Sequence, residues 1–265
     1  YMVWQNGRQL TYMDYATTAS NETQIRYAYD ANGIRSSKKI NSEVHSYVTQ
    51  SGKVVRETIG TGSSAKVLDF IYDESDRPFA LKYSSNGGSS FTTYYYVLNL
   101  QGDVVKLISK SGTICASYTY DAWGKVLTAT GSMANINPLR YRSYYYDSET
   151  GFYYLQSRYY DPEVSRFINA DAAEFATLST VSLSDTNLFA YCANDPVNRG
   201  DTEGNFWEVI LGGAIAGAIM GAVTTVVNAA VSGESASLSD VVNGAAMGAM
   251  NGAIGGAAAM FGPSC

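Results

Sequence analysis

Short runs of alternating apolar and polar residues dominate the first 160 positions of the chain, and turn-forming residues separate the runs. The clearest runs are IRYAYDANGIRSSKKI, LDFIYDESDRPFALKY, ASYTYDAWGKVLTA and YYYDSETGFYYLQSRYYD. Successive side chains of a β-strand point to opposite faces, so a period of two is typical of strands with one buried face. The pattern therefore predicts antiparallel β-hairpins over this part of the chain.

A Tyr-Asp pair ends the first strand of each phrase, and the related phrase YYYVLNLQGDVVKLIS has Asn99 in place of the Asp. The tyrosines of these pairs are Tyr29, Tyr72, Tyr120, Tyr146 and Tyr160. We expect these tyrosines near strand ends, with the following Asp or Asn capping a turn. Glycines suited to the positive φ of such turns follow most pairs, namely Gly33, Gly102, Gly124 and Gly151. The irregular spacing of the pairs argues against a strict solenoid and predicts a meandering sheet.

The pattern changes abruptly after Asn205, where Ala and Gly become abundant. Residues 209–231 contain no charge, and a second apolar run covers residues 241–261. Glycines recur every fourth residue in both runs, at Gly213, Gly217 and Gly221 and at Gly244, Gly248, Gly252 and Gly256. This spacing aligns small residues on one helical face and lets two helices approach closely. We therefore predict an α-helical glycine-zipper hairpin over 207–262, inside the tail 206–265, with Ser237 and Asp240 as the capping box of its second helix.

Composition narrows the classes of function. Hydrophobic residues make up 46% of the 265 residues and charged residues only 16%, which argues against general disorder. The 22 tyrosines favour sheet over helix. The formal net charge is −6 with a pI near 4.8, and no basic run occurs, so nucleic-acid binding is disfavoured.

Cysteine and histidine are too scarce to suggest a disulfide framework or a zinc site. Cys115, Cys192 and Cys265 are scattered without a CxxC pair, and His45 is the single histidine. We interpret His45 as a strand residue and predict no cofactor and no metal. The opening residues YMVWQNGRQL lack the features of a signal peptide, so we expect a fragment of a longer polypeptide with its export signal upstream.

The segment from 137 to 204 contains NPLRYRSYYYDSETGFYYLQSRYYDPEVSRFINAD and, after an interval, LFAYCANDPVNRGDTEG. These residues closely resemble the RHS repeat-associated core of RHS/YD-repeat polymorphic toxin proteins. The resemblance implies that the hairpins belong to the wall of a hollow β-cage. It divides the chain into YD/RHS repeat hairpins at 1–137, the core at 138–205, and the start of a variable C-terminal region at 206–265.

The resemblance also implies a self-cleaving chemistry. In self-cleaving members two aspartates act together with an arginine, and the matching positions here are Arg158, Asp171 and Asp201. Two carboxyl groups that share a proton can activate water against a peptide bond, so we expect the aspartates to approach one another near Arg158. The matching scissile bond follows Asn205.

The closing motif departs from the pattern of the self-cleaving members. Thr202 stands where they have proline, and Asn205 stands where they prefer leucine. Loss of proline frees the turn, and loss of leucine removes the apolar anchor for the bond. We therefore predict little cleavage, so that any enzymatic activity is at most a single-turnover aspartyl autoproteolysis.

The leading hypothesis is a structural one, in which this chain encapsulates and delivers a C-terminal effector in competition between cells. The implied partners are the effector segment and an immunity protein, and the implied location is secreted or at the cell surface.

An active self-protease is one alternative. A membrane-inserting hairpin through 209–231 and 241–261 is another, since 23 uncharged residues are long enough to span a bilayer. Carbohydrate binding by the tyrosines has only composition behind it.

Overall fold

The structure is a computed structural model that describes residues 1–16, 22–170, 187–201 and 208–209, together with positions 237, 239–240 and 242–243. The chain divides into two compact units, of which the first contains residues 1–189 and the second contains the described residues from Ala190 onward. The fold of the described part is mainly β, as the sequence predicts.

Twelve consecutive antiparallel strands form a single meandering sheet, the wall sheet. Its strands are β1 (Met2–Gln5), β2 (Gln9–Ala16), β3 (Glu22–Tyr29), β4 (Arg35–Ile40), β5 (Glu43–Gln50), β6 (Lys53–Ile59), β7 (Lys66–Tyr72), β8 (Pro78–Ser84), β9 (Thr92–Leu98), β10 (Val104–Ser109), β11 (Ile114–Tyr120) and β12 (Val126–Thr130). Each strand pairs with its neighbours in sequence, and short 3₁₀ turns lie at Gly62–Ser64, Tyr141–Ser143 and Cys192–Asn194. Strands occupy both 66–72 and 78–84, as well as 114–120 and 126–130, which confirms the predicted hairpins.

The aspartate of the Tyr-Asp pair closes the loop that follows it. In the β3–β4 loop the Asp30 carboxylate accepts hydrogen bonds from the backbone N–H groups of Asn32 and Ile34, each at 2.9 Å. The same pair of bonds recurs at Asp73, Asn99 and Asp121. These N–H groups have no strand partner, so the side chain supplies the acceptor that they need.

The tyrosine of the pair ties its own strand to the strand before it. The hydroxyl of Tyr29 donates a 2.9 Å hydrogen bond to the carbonyl oxygen of Leu10 on β2. Tyr72 and Tyr120 make equivalent bonds to the carbonyl oxygens of Val54 and Val104. The register shifts between Tyr29 and the residue before it, as in a β-bulge, which turns the tyrosine toward the preceding strand. Burial raises the pKa of Tyr29 to about 12, so its hydroxyl remains a donor at neutral pH.

A second antiparallel sheet, the core sheet, is built from β13 (Tyr145–Asp147), β14 (Phe152–Leu155), β15 (Arg158–Asp161) and β16 (Arg166–Phe167). Its alternating aromatics form a cross-strand row on each face. One row consists of Tyr146, Tyr153, Tyr160 and Phe167, and the opposite row consists of Tyr145, Tyr154 and Tyr159. Neighbouring rings within these rows have centroids 5.0–6.3 Å apart, in stacked, tilted or edge-to-face arrangements. Such ring pairs stabilise the sheet beyond the effect of burying their apolar area.

Hydroxyl groups from both rows attach the core sheet to the wall sheet. Tyr154 accepts a 2.8 Å hydrogen bond from the backbone N–H of Arg35 at the start of β4. On the other face Tyr153 donates to the carbonyl oxygen of Gly124 at 2.8 Å, in the β11–β12 loop. Each buried tyrosine therefore contributes apolar area from its ring and a satisfied hydrogen bond from its tip.

The Tyr-Asp pair at 146–147 differs from the predicted arrangement. Tyr146 lies in the middle of β13, and Asp147 is the last strand residue rather than a turn residue. Its backbone carbonyl, not its carboxylate, accepts the loop N–H groups of Thr150 and Gly151. The prediction that this carboxylate caps a turn is wrong because two buried cations of β4 attract it to the interior.

The described residues of the second unit test part of the predicted tail. Ser237 and Asp240 exchange hydrogen bonds between side chain and backbone N–H in both directions, which confirms the capping box. Residues 239–240 and 242–243 are helical. In contrast, β18 (Glu208–Val209) pairs with β17 (Arg199–Gly200), so the helix predicted from 207 is wrong at its start. Val209 is β-branched, which favours a strand.

The remainder of the predicted glycine-zipper hairpin lies outside the described residues. Within the described part of the chain, no helix is long and apolar enough to cross a membrane.

Replacing Tyr153 and Tyr154 by alanine together should lower the free energy of unfolding by at least about 3 kcal/mol. Both side chains are buried, at 0% and 6% exposure, and both hold the core sheet to the wall sheet. Urea unfolding followed by tyrosine fluorescence measures the change. The control is Tyr1→Ala, because Tyr1 is 83% exposed. Equal stability of the double variant and the parent would refute this packing.

Replacing Gly124 by alanine should destabilise the protein more than the same change at Gly112. Both glycines have positive φ, at 87° and 81°, so both variants carry the same backbone strain. A Cβ at Gly124 would lie 2.5 Å from a ring atom of Tyr141, whereas the described residues leave the space at Gly112 open. We expect the Gly124 variant to be less stable by about 1–3 kcal/mol, the usual effect of overpacking. Similar midpoints of thermal unfolding for both variants would contradict the close contact.

Candidate functional site

Arg158, the predicted helper of self-cleavage, opens β15 and is 3% exposed. Its guanidinium carbon lies 3.6 Å from the centroid of the Phe167 ring, and Nη1 donates a 3.2 Å hydrogen bond to the carbonyl oxygen of Leu188. The core sheet thus positions this cation through its paired strands and through the stacked ring. A buried arginine of this kind keeps its charge and offers fixed donors to an acid.

The two predicted aspartates are described to different extents. Asp201 follows β17 in the second unit and is 1% exposed. A carboxylate this deeply buried requires polar partners, since unpaired burial of a charge is strongly unfavourable. Asp171 lies outside the described residues, as do Thr202, Asn205 and Phe206. The approach of the two aspartates and the cleavage after Asn205 therefore stay predictions.

Two arginines that precede the core sheet have structural partners. The backbone N–H of Arg142 donates to Asp103 Oδ1 at 2.9 Å, and its side chain donates to the carbonyl oxygen of Gln101. The guanidinium of Arg140 lies 4.2 Å from the centroid of the Tyr146 ring. Arg142 therefore joins the residues before the core sheet to the β9–β10 loop, and Arg140 packs against β13 of the core sheet.

Sequence reasoning missed a group of four charged residues, three of them buried, that we call the ionic cluster. It consists of Arg35, Lys38, Asp147 and Glu149. The guanidinium of Arg35 contacts both carboxylate oxygens of Asp147, at 2.5 and 3.1 Å. Lys38 Nζ lies 2.7 Å from Asp147 Oδ1 and 2.6 Å from Glu149 Oε1. The cluster therefore connects β4 of the wall sheet to β13 and the loop after it.

Tyrosine rings enclose the cluster. Five ring centroids lie 4.3–5.9 Å from the guanidinium carbon of Arg35, and they belong to Tyr27, Tyr47, Tyr145, Tyr154 and Tyr159. Their electron-rich faces attract the cation, and their bulk removes water, which strengthens every charge–charge contact within.

The protonation states follow from these neighbours. Burial by itself would raise the pKa of Asp147, yet Arg35 and Lys38 together hold that pKa below its ordinary value. Burial by itself would lower the pKa of Lys38, but the Asp147 carboxylate raises it well above the usual value. Arg35, Lys38 and Asp147 are accordingly all charged in the folded cluster.

A second buried polar group lies beside the cluster. His45 Nδ1 is 2.7 Å from Glu57 Oε1, and the hydroxyl of Tyr145 donates to the same oxygen at 2.7 Å. His45 is part of β5, as expected for a strand residue. In the parts of the chain that the structure describes, no three Cys, His, Asp or Glu side chains converge as metal ligands would.

Proteins with related sequences occur in bacteria and in animals. The chain is 34% identical to the tRNA3(Ser)-specific nuclease WapA of Bacillus spizizenii over 193 residues, which cover 72% of this chain and 8% of that protein. It is 29% identical to the double-stranded DNA deaminase toxin A of Burkholderia cenocepacia over 170 residues, covering 56% of this chain and 12% of the toxin. Human Teneurin-4 is 25% identical over 199 residues, which cover 71% of this chain and 7% of Teneurin-4. The chain thus spans a small fraction of each relative.

Solved structures share the fold. The crystal structure of TcdB2-TccC3-TEV superimposes with a TM-score of 0.61 at 19% identity, covering 77% of this chain and 10% of that one. The Tc holotoxin pore of Photorhabdus luminescens gives a TM-score of 0.62 at 18% identity, with coverage of 79% and 10%. At these identities the likeness shows the fold alone.

The family assignment follows from the sequence match together with the hairpin geometry. The family model of the Teneurin YD-shell matches residues 15–197, more than half of the chain. This match confirms the resemblance to RHS/YD-repeat proteins, and the Tyr-Asp loops described above are the repeated element. The chain belongs to the Teneurin YD-shell family.

Proposed function

We propose that this chain is the C-terminal part of the shell of an RHS-family polymorphic toxin, which encloses and delivers an effector in competition between cells. The observation that carries the proposal is the YD-shell match over 15–197, joined to a wall sheet with a core sheet packed against it. In this function the wall separates the effector from its surroundings, and the core sheet closes the wall from within.

The relatives support a carrier role over catalysis in this segment. One relative is named as a tRNA nuclease and another as a DNA deaminase, although both share this region with our chain. Two unrelated chemistries cannot both reside in the same shared segment, so the shared part serves a task common to both. The enclosed partner is the effector segment after residue 205, and a specific immunity protein protects the producing cell. Such a protein acts outside the cell, so secretion or display at the cell surface belongs to the proposal.

Self-cleavage is the second candidate, because Arg158, Asp171 and Asp201 stand at the positions of the self-cleaving motif. Within the first unit, Arg158 is a buried cation at 3% exposure whose donors are fixed by the core sheet. Thr202 and Asn205 argue against an efficient reaction, as set out above. Membrane insertion through 209–231 and 241–261 stays a hypothesis, because these stretches lie almost wholly outside the described residues.

Protease protection tests the carrier function. In the full-length toxin, the segment after residue 205 should resist added protease, and a variant with Tyr153 and Tyr154 both replaced by alanine should expose it. The Tyr1→Ala variant should protect it as the parent does, because Tyr1 lies on the surface. Western blotting against a tag at the C-terminus measures survival. Equally fast digestion of the tag in all three proteins would overturn the enclosure of the effector.

Cleavage after Asn205 should be slow and incomplete. We expect little or no fragment that begins at Phe206, because the substitutions at Thr202 and Asn205 remove the restraint and the anchor of the scissile bond. Gel electrophoresis with N-terminal sequencing of any fragment measures the reaction. Efficient release that Asp171→Asn or Asp201→Asn abolishes would show that the prediction of a weakened site is wrong. The Asp195→Asn variant serves as a control, since Asp195 lies in a turn and bonds Asn198.

A further inference from the structure

The ionic cluster holds three reactive groups in contact. Lys38 supplies an amine, Asp147 supplies a carboxyl group at 2.7 Å, and Glu149 supplies a second carboxylate at 2.6 Å from the same nitrogen. We propose that Lys38 and Asp147 condense to an intramolecular isopeptide bond, with Glu149 as the proton carrier. The bond would join β4 of the wall sheet to β13 of the core sheet covalently, independently of the function proposed above.

Burial is the first condition for such a reaction, and the cluster meets it. The side chains of Lys38 and Asp147 are 3% and 0% exposed, and that of Glu149 is 12% exposed. Condensation releases water, so a site from which water is excluded favours the amide over its hydrolysis. The ring of Tyr145, 5.7 Å from Lys38 Nζ, forms part of the wall that keeps water out.

Orientation is the second condition. The two reacting residues are 109 positions apart in sequence, so only the folded state brings them together. Well-oriented groups within one molecule react as if at effective concentrations of roughly 10⁵–10⁸ M. This advantage applies to Lys38 and Asp147, because two packed sheets fix both ends and the nitrogen already touches the carboxylate.

The reaction balances without any added reagent. Glu149 takes one proton from the Lys38 ammonium, and the neutral nitrogen then attacks Cγ of Asp147 to form the new C–N bond. One carbon–oxygen bond of Asp147 breaks. The departing oxygen receives the proton held by Glu149 and a second proton from the nitrogen, and it leaves as water. One positive and one negative charge disappear, so Arg35 and Glu149 remain as a balanced pair.

Arg35 has two opposing effects on this step. Its two N–H contacts stabilise the charged carboxylate of Asp147, which makes the ground state less reactive. The same donors lie where negative charge accumulates on the oxygens as the nitrogen attacks, and a donor so placed is worth about 10²–10³-fold in rate. Asp147 in turn holds the pKa of Lys38 above its usual value, so the transfer of a proton from Lys38 to Glu149 is uphill and slows the step. The balance predicts a bond that forms slowly after folding rather than during synthesis.

A surface pair in the same chain provides a matched comparison. Lys125 Nζ also lies 2.7 Å from a carboxylate oxygen, that of Glu163, but these side chains are 45% and 61% exposed. Water competes for both groups there, and no third acid approaches Lys125 among the ion pairs of the described residues. The Lys38–Asp147 and Lys125–Glu163 pairs therefore have the same contact distance but differ in their exposure to water.

Peptide mapping of the full-length protein by mass spectrometry tests the proposal. The peptides that contain Lys38 and Asp147 should appear as one branched species, lighter than their sum by one water molecule, and trypsin should not cut after Lys38. Trypsin should still cut after Lys125, and the Glu163 peptide should be unmodified. Separate, unmodified peptides at both positions in protein aged for days after folding would overturn the proposal without any variant.

Variants identify the role of each group. Lys38→Arg should abolish the branched species, whereas Asp147→Asn should still form it with release of ammonia in place of water. Glu149→Gln should slow its appearance after refolding by roughly 10²–10⁴-fold, the range of general acid–base effects. Glu163→Gln is the control and should leave the rate unchanged. An unchanged rate in Glu149→Gln would refute the proton-carrier role.

Discussion

The contact between Arg35 and Asp147 is the constraint on which the packing of the core sheet against the wall sheet depends. A guanidinium and a carboxylate at 1% and 0% exposure could not exist separately in this interior, because each would lack the water that stabilises its charge. Their pairing therefore requires β13 to lie over β4 in a single register. The tyrosine rows follow from that register, since Tyr145 and Tyr154 surround the pair while Tyr153 faces the opposite side. Specificity of docking comes from the charges, and most of the burial energy comes from the rings.

The Tyr-Asp repeat is a local solution to a general difficulty of large sheets. Each hairpin loop leaves backbone N–H groups without strand partners, and an aspartate such as Asp30 satisfies two of them. The tyrosine meanwhile fixes the strand to its predecessor through a carbonyl oxygen, as Tyr29 does with Leu10. The bonds of the repeat need no distant residue, so they form as soon as neighbouring strands pair. Contacts between residues far apart in the sequence arise where the core sheet meets the wall sheet, as in the 3.0 Å hydrogen bond between the hydroxyls of Tyr29 and Tyr159.

The hairpins were predictable from sequence because period-two alternation and turn residues are local signals. The capping box at Ser237 and Asp240 was predictable for the same reason.

The ionic cluster was not predictable, since its bonds join residues 109 and 112 positions apart. In a strand, Arg35 and Lys38 resemble ordinary solvated cations, and only the position of β13 makes them interior. Asp147 was misassigned because a Tyr-Asp pair resembles every other pair in sequence, whereas its buried neighbours belong to another sheet. Asp171 was found from the sequence motif, but its position lies outside the described residues.

The short reach of the tyrosine and aspartate bonds has an evolutionary consequence. Each loop depends on its own two strands and the one before, so a hairpin can be gained or lost as a unit while its neighbours keep their contacts. The number of hairpins then sets the width of the wall sheet, and the core sheet with its loops contacts the wall at a few places, from β2 to β6 and at the β11–β12 loop. A lineage can thus lengthen or shorten the wall sheet by whole hairpins while the contacts of the core sheet stay the same.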